Sequence, residues 1–365
     1  MRTFHCTHCH TRLHFENSTC LNCGYAVGFD YRTLDFATLT PAGTPGSYVN
    51  SAGRGKDALQ YCSNAEMAAC NWVIDPVEHP NGLCRACDLN RHIPDCSNPD
   101  HKAAWQRIEA AKKRLIYSIL RFGLPLEGKT EATGRLTFDF INEATTGHMN
   151  GVITLDLREA DGVERERRRN LLDEPYRTLL GHLRHESGHF FWQLMIAEGG
   201  KLDAFRQVFG DESADYQAAL QNHYDQGPPA DWQGSYVSAY ASAHPWEDWA
   251  ETWAHYLHLV SAVDTAVAER MLPTPAPVKR GFFARARPVD PYRELSFSNL
   301  QKMWLPLSVG MNSLSRALGH PDFYPFALAQ PVERKLAFIH DTIGAFTREN
   351  RAAKRLRKQQ PAGVA

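Results

Sequence analysis

Nowhere does this 365-residue chain contain the run of about 18 apolar residues that would make a membrane-spanning helix its organising element. Its first residues, MRTFHCTHCHTRLHF, also lack the apolar stretch of a secretory signal. Charge of one sign is missing too. The formal net charge is -1, so no global field recruits nucleic acid or an acidic membrane. Cysteine does not come in an even set: there are nine, several at C-x-x-C spacing. An odd count with that spacing argues for reduced, metal-bound thiolates in the cytoplasm rather than a secreted disulfide framework. No internal repeat occurs beyond the C-x-x-C units. What remains is ordinary globular material, 43% hydrophobic and 22% charged, with room for two or three domains.

The cysteines form two groups. Cys6, Cys9, Cys20 and Cys23 give two C-x-x-C knuckles separated by ten residues, suited to a rubredoxin-like ribbon with four thiolates around one zinc. A redox dithiol is the rival reading, but no βαβ pattern surrounds either pair. Cys62, Cys70, Cys84 and Cys87 offer a second four-thiolate site, in which Cys96 or His79 could replace one of the first two. Alternatively, Cys70 and Cys96 are small buried hydrophobes. Residues 39–57, rich in Gly, Pro and Ser, read as the connection between the two groups. Lobes this small bury little apolar surface, so the region to about residue 98 is expected to depend on metal for its stability.

A different metal pattern lies in residues 179–195, LLGHLRHESGHFFWQLM. Apolar residues recur at helical spacing without a proline. On such a helix His185 and His189 lie one turn apart on the same face and can share one ion. Glu186 is rotated off that line, close enough to take a proton from a water held by the metal. Gly188 is a poor helix former, tolerable where a bulky side chain would crowd a site. The bland alternative is a buried helix with two satisfied histidines. A third histidine in the pattern H-E-x-x-H-x-x-G-x-x-H is absent, since Trp192 and Met195 stand where the glycine and histidine would be.

The third ligand is therefore expected to be an acid from a separate helix. Residues 244–256, HPWEDWAETWAHY, supply Glu247, with Asp248 and Glu251 as fallbacks. Glu247 would complete the zinc ligands, while Glu251, one turn along, could accept the free N–H of a ligand histidine and fix its tautomer. The acids could instead merely solvate one helix face, but Trp246, Trp249 and Trp253 around them speak for burial.

HESGH followed by HPWEDWAETWAHYLH resembles the gluzincin type of zinc metallopeptidase. More narrowly, the chain resembles the bacterial zinc-binding metallopeptidases that carry an N-terminal zinc-ribbon region, from Cys6 to about residue 345. The resemblance implies one catalytic zinc and one or two structural ones. It also implies a tyrosine shortly before the third ligand that supports the transition state. Tyr240, seven residues before Glu247, fits that place, and Tyr236 is its rival.

The rest of the chain fills in an α+β reading. Residues 101–122 form an amphipathic helix. Residues 135–142 and 151–158 alternate apolar and polar as strands, expected to pair as a hairpin through 145–150. The stretch 150–153 is a candidate edge for extended substrate, or else a buried strand with no such contact. Residues 164–170 (ERERRRN) read as a solvated face, and His182 as a surface histidine in preference to a group supporting the site. Residues 201–224 are helical in pattern, 225–234 a polar loop at the cleft, and 273–291 an exposed loop. Residues 299–318 and 331–346 close the domain as helices. The expected organisation is a ribbon over 1–38, a second four-cysteine module over 58–98, a mostly helical zincin-like domain over 99–347, and a basic, disordered tail over 348–365. The expected activity is hydrolysis of a peptide or protein substrate in the cytoplasm, by a metal-activated water with Glu186 as base. The competing reading, from a different class, is a non-catalytic module whose ribbons hook a protein or nucleic-acid partner beside a vestigial H-E-x-x-H site.

Overall fold

Each knuckle of the first cysteine group closes on a residue with left-handed backbone. Gly24 (φ 73°) donates its N–H to Cys20 O, and His10 (φ 59°) donates to Cys6 O. Glycine makes the first of these turns without steric cost; the second is a less common place for a histidine. These turns belong to a computed structural model that describes residues 1–53, 58–131, 133–162, 178–272, 289–324 and 328–359.

The N-terminal region is built from β1 (Phe4–His5), β2 (Arg12–Leu13), β3 (Ala26–Asp30), β4 (Asp35–Pro41), β5 (Tyr48–Asn50), β6 (Gln60–Tyr61) and β7 (Trp72–Ile74). The last five form one sheet in the order β5-β4-β3-β7-β6. Strands flanking both cysteine groups thus share a ladder, and the stretch expected as a connecting loop contributes the end of β4 and all of β5. Phe4, Phe15 and Phe29 cluster with Tyr117, with ring centroids 5.5 to 6.2 Å from it. Tyr117 lies on α1 (Pro99–Phe122), which Asn98 caps by accepting the N–H groups of Asp100 and His101. Most buried side chains of both halves therefore form one continuous core, with Ala37, Leu39, Leu59 and Val73 in a small separate cluster.

A second sheet crosses the expected boundary near residue 98. Its order is β10-β11-β9-β8, with β8 (Asn90–His92), β9 (Thr137–Ile141), β10 (Gly147–Met149) and β11 (Val152–Asp156). The two alternating stretches do not make the expected hairpin: β9 and β11 run parallel, while β10 folds back antiparallel onto β11. The ten residues between β9 and β11 contain a strand of their own, and that strand takes the outer place. Among the described residues β10 is therefore one edge of this sheet and β8 the other. Residues 150–153, expected at an edge, form a turn and the start of an interior strand.

Six more helices follow among the described residues: α2 (Leu179–Trp192), α3 (Leu202–Phe209), α4 (Tyr216–Gln226), α5 (Pro245–Ala268), α6 (Phe297–Ala317) and α7 (Gln330–Gln359). The expected solvated face at 164–170 and most of the loop at 273–291 lie outside the described residues. The basic stretch expected as a disordered tail continues α7 as far as Gln359.

What positions the site is the contact of α2 with α5. A Cβ at Gly188 would stand 3.0 Å from Ala250 Cα and 3.2 Å from Trp253 Cδ1. The glycine is needed for helix approach, not to clear the site. Trp249 and Trp253, both fully buried, donate their indole N–H groups to Gly188 O (2.8 Å) and Ser187 Oγ (3.1 Å). Those bonds satisfy the polar edge of two large apolar side chains and lock the rotation of one helix against the other.

Candidate metal centre

Because α2 and α5 approach so closely, His185, His189 and Glu247 each bring one donor atom within 4.8 Å of the other two. Glu247 Oε2 lies 3.0 Å from His185 Nε2 and 3.6 Å from His189 Nε2. It is nevertheless buried without an aligned hydrogen-bond donor. A buried carboxylate oxygen left in that condition costs about 1–3 kcal/mol or more unless something else satisfies it. Two imidazole nitrogens and one carboxylate oxygen are a donor set that zinc takes, so these residues fit the metal.

A carboxylate and a hydroxyl orient two of the trio, His185 and Glu247. Burial would raise the pKa of Glu247, but His189 and His185 outweigh it and hold the group at about 2. Its second oxygen, Oε1, accepts the phenol of Tyr216 at 2.8 Å. Tyr216 lies on α4, a helix with no buried residue, and no spacing rule in the sequence points to it. Glu251 takes the place expected of it: Oε1 is 2.6 Å from His185 Nδ1, and Oε2 accepts Ser238 Oγ at 2.6 Å. His185 offsets the burial of Glu251 and keeps it ionised, with a pKa of about 2. Glu251→Ala is expected to weaken zinc affinity about 10–100-fold, because His185 loses the partner that fixes its tautomer. Competition titration with a chromophoric chelator measures this, and unchanged affinity would remove Glu251 from that role.

Other expected residues are sorted by direction around α5. Asp248 points away from the trio and pairs with Lys335 Nζ at 2.6 Å, so it offers no donor there. Tyr236 goes with it, its ring 4.2 Å from the Lys335 ammonium. Tyr240 instead lies beside the site, its ring centroid 5.9 Å from that of His185. His182, expected on the surface, lies between two carboxylates: Nε2 is 3.2 Å from Glu186 Oε1 and Nδ1 is 3.2 Å from Glu159 Oε2. Burial opposes its charge, yet those two partners raise its pKa to about 9. The sequence shows its spacing to Glu186 but carries no sign of Glu159.

Next to His189 is a cavity of about 190 Å³, lined by Thr133, His148, Phe190, Gln193 and Trp246 together with the 149–151 turn. Trp246 covers His189 at a centroid distance of 3.7 Å. His148 comes from the edge strand β10, and burial lowers its pKa to about 4, with His189 adding to the effect.

The two cysteine groups also converge, each with four sulfur atoms within 4.8 Å of one another. Cys6–Cys23, Cys9–Cys20 and Cys70–Cys84 have Sγ–Sγ separations of 3.7, 3.6 and 3.7 Å. A tetrahedron of sulfurs about 2.3 Å from zinc has edges of about 3.8 Å, so the spacing suits the ion and excludes disulfides. Cys62, Cys70, Cys84 and Cys87 make up the second group. Its two alternates lie elsewhere, His79 against the Tyr31 phenol and Cys96 against Pro94 O.

A mixed α/β chain with two four-cysteine clusters and a His-His-Glu trio between packed helices belongs to a known class. Residues 101–342 match the family described as "Putative zinc-binding metallo-peptidase", and the chain belongs to that family; residues 3–98 match a zinc-ribbon domain. Uncharacterised proteins of Mycobacterium tuberculosis and Mycobacterium bovis are each 42% identical over 350 residues, covering 94% of this chain and 95% of their own. No solved structure matches the chain. Among the described residues no helix is long and apolar enough to cross a membrane.

Proposed function

We propose that the protein is a zinc-dependent peptidase in which His185, His189 and Glu247 hold the metal, Glu186 is the general base, and the two cysteine clusters hold structural zinc. The observation that carries this reading is the pairing of the converged trio with a buried carboxylate, Glu186, that lies between the two histidines in sequence but belongs to no ligand set. A zinc ion at the trio supplies Lewis acidity toward the scissile carbonyl and the attacking water. Glu186 takes the proton of that water as its oxygen attacks the carbonyl carbon. It then gives the proton to the amine nitrogen as the C–N bond breaks.

Tyr240 donates its O–H to the oxygen on which negative charge develops. Burial raises the pKa of that phenol, which keeps it a donor. Extended substrate adds to the free edge of β10, and the cavity beside His189 takes a side chain next to the scissile bond. Its named lining residues carry no Asp, Glu, Lys or Arg, so an uncharged, mainly apolar side chain suits it. In this reading the ribbon region completes the fold of the peptidase half. That is supported by β8, which belongs to the peptidase sheet, and by the aromatic cluster around Tyr117.

Digestion of a peptide library by the zinc-loaded protein tests the reading. Cleavage with a preference for apolar residues is expected, stopped by a chelator and restored by zinc. A full zinc complement without cleavage of any peptide would remove the peptidase reading.

A further inference from the structure

We propose that His182 is a positioning residue, held by Glu159, that fixes the carboxylate of Glu186 in one orientation for proton transfer. This rests on the peptidase reading and adds two residues to it. His182 and Glu186 are one turn apart on the same face of α2, which brings Nε2 within 3.2 Å of Glu186 Oε1. The other ring nitrogen, Nδ1, is 3.2 Å from Glu159 Oε2. Glu159 is 1% exposed and stands on the short turn Leu157–Ala160, immediately after β11. The histidine therefore ties the base to the sheet whose edge faces the substrate.

The geometry has a chemical consequence. Glu186 has three side-chain torsions and, being 5% exposed, little water to define its direction. A carboxylate free to rotate there would spend part of its time turned away from the attacking water. Loss of orientation of this kind lowers catalysis without changing which groups are present. An imidazole that donates from both nitrogens to two buried carboxylates sets the Glu186 carboxylate direction through a rigid ring rather than a flexible chain.

The test uses the full zinc-loaded chain. His182→Ala is expected to lower kcat about 10–100-fold, the usual range for a group that orients a catalytic or ligating residue, with KM within about twofold and zinc content unchanged. His182→Gln, which nearly fills the space and can still donate to Glu186, is expected to recover part of that loss. Glu159→Gln is expected to fall between the wild type and His182→Ala. A wild-type kcat in both His182 variants would overturn the proposal, as would a loss that falls on KM, zinc content or melting temperature instead.

A second readout needs no substrate. Nitrogen-15 spectra of histidine-labelled protein at pH 7.5 should show both ring nitrogens of His182 carrying protons, assigned by their disappearance in His182→Gln. A ring protonated on one nitrogen only would overturn the proposal even if the protein cleaves peptides. A ring protonated on both, in a protein that cleaves none, would support the bridge while removing the peptidase reading.

Discussion

Glu186→Gln is expected to lower kcat/KM for peptide hydrolysis by about 10²–10⁴-fold, the range that a positioned general base contributes. The change is nearly isosteric. Its amide oxygen can still accept from His182 Nε2, which lies 3.2 Å from the carboxylate in the native protein, so the local fold has no reason to shift. Glu186 is not one of the converged donors, so zinc should remain at His185, His189 and Glu247. What is lost is the ability to take a proton. Turnover of the best library peptide, with zinc counted by mass spectrometry on the same sample, measures both halves. A variant that keeps its metal and cleaves within tenfold of the wild type would show that another group carries the proton.

Cys84→Ser is expected to remove one zinc and to lower the melting temperature of the whole chain by about 5 °C or more. Cys84 is fully buried, its Sγ 3.7 Å from that of Cys70, and its backbone N–H donates to Cys62 Sγ. Structural zinc sites contribute about 10–16 kcal/mol in small zinc-binding peptides, comparable with the whole stability of a typical domain. At about 2.1 cal/mol/K of unfolding entropy per residue, losing even about 4 kcal/mol of that would move the midpoint of a 365-residue cooperative unit by about 5 °C.

The loss should not stay local. β8 lies in the same sheet as β9 to β11, and Phe4, Phe15 and Phe29 pack on Tyr117 of α1. Lys113, also on α1, donates to Ala69 O beside the cluster. Unfolding of the cysteine region would therefore strip one face from the helix and one strand from the sheet that support α2. A single calorimetric transition shifted downward, with peptidase activity lost along the same curve, is the expected result. An unchanged midpoint, or activity that outlasts the melting of the cysteine region, would show that the two halves are energetically separate.

The parts of the site that could be read from sequence are those with a short-range period. His185 and His189 share a face because a helix turns in about 3.6 residues, and Glu247 and Glu251 follow the same rule. The C-x-x-C pairs work likewise, since two cysteines flanking a tight turn must point the same way. Asp248, next to Glu247, was a reasonable alternative ligand in one dimension. In three dimensions a step of about 100° around α5 turns it to Lys335.

The features that the sequence hides have a common cause as well. A hairpin was expected between the alternating stretches because β10 is three residues long and leaves little pattern of its own. His182 read as a surface group because nothing near it in sequence reveals Glu159, 23 residues upstream, as its partner. Tyr216 is 31 residues before Glu247 on a helix without a buried face, so no period marks it at all.

From the sequence alone came the chemical identity of the three candidate ligand sets and the helices and knuckles that carry most of them, because each rests on contacts within a turn or two of chain. Tertiary structure alone decided which tyrosine lies at the site and which edge strand lies beside it. It alone placed an imidazole between Glu159 and Glu186, and joined the cysteine region to the peptidase sheet in one core. Those outcomes depend on residues far apart in the chain meeting through packing, and packing leaves no periodic trace in the order of amino acids.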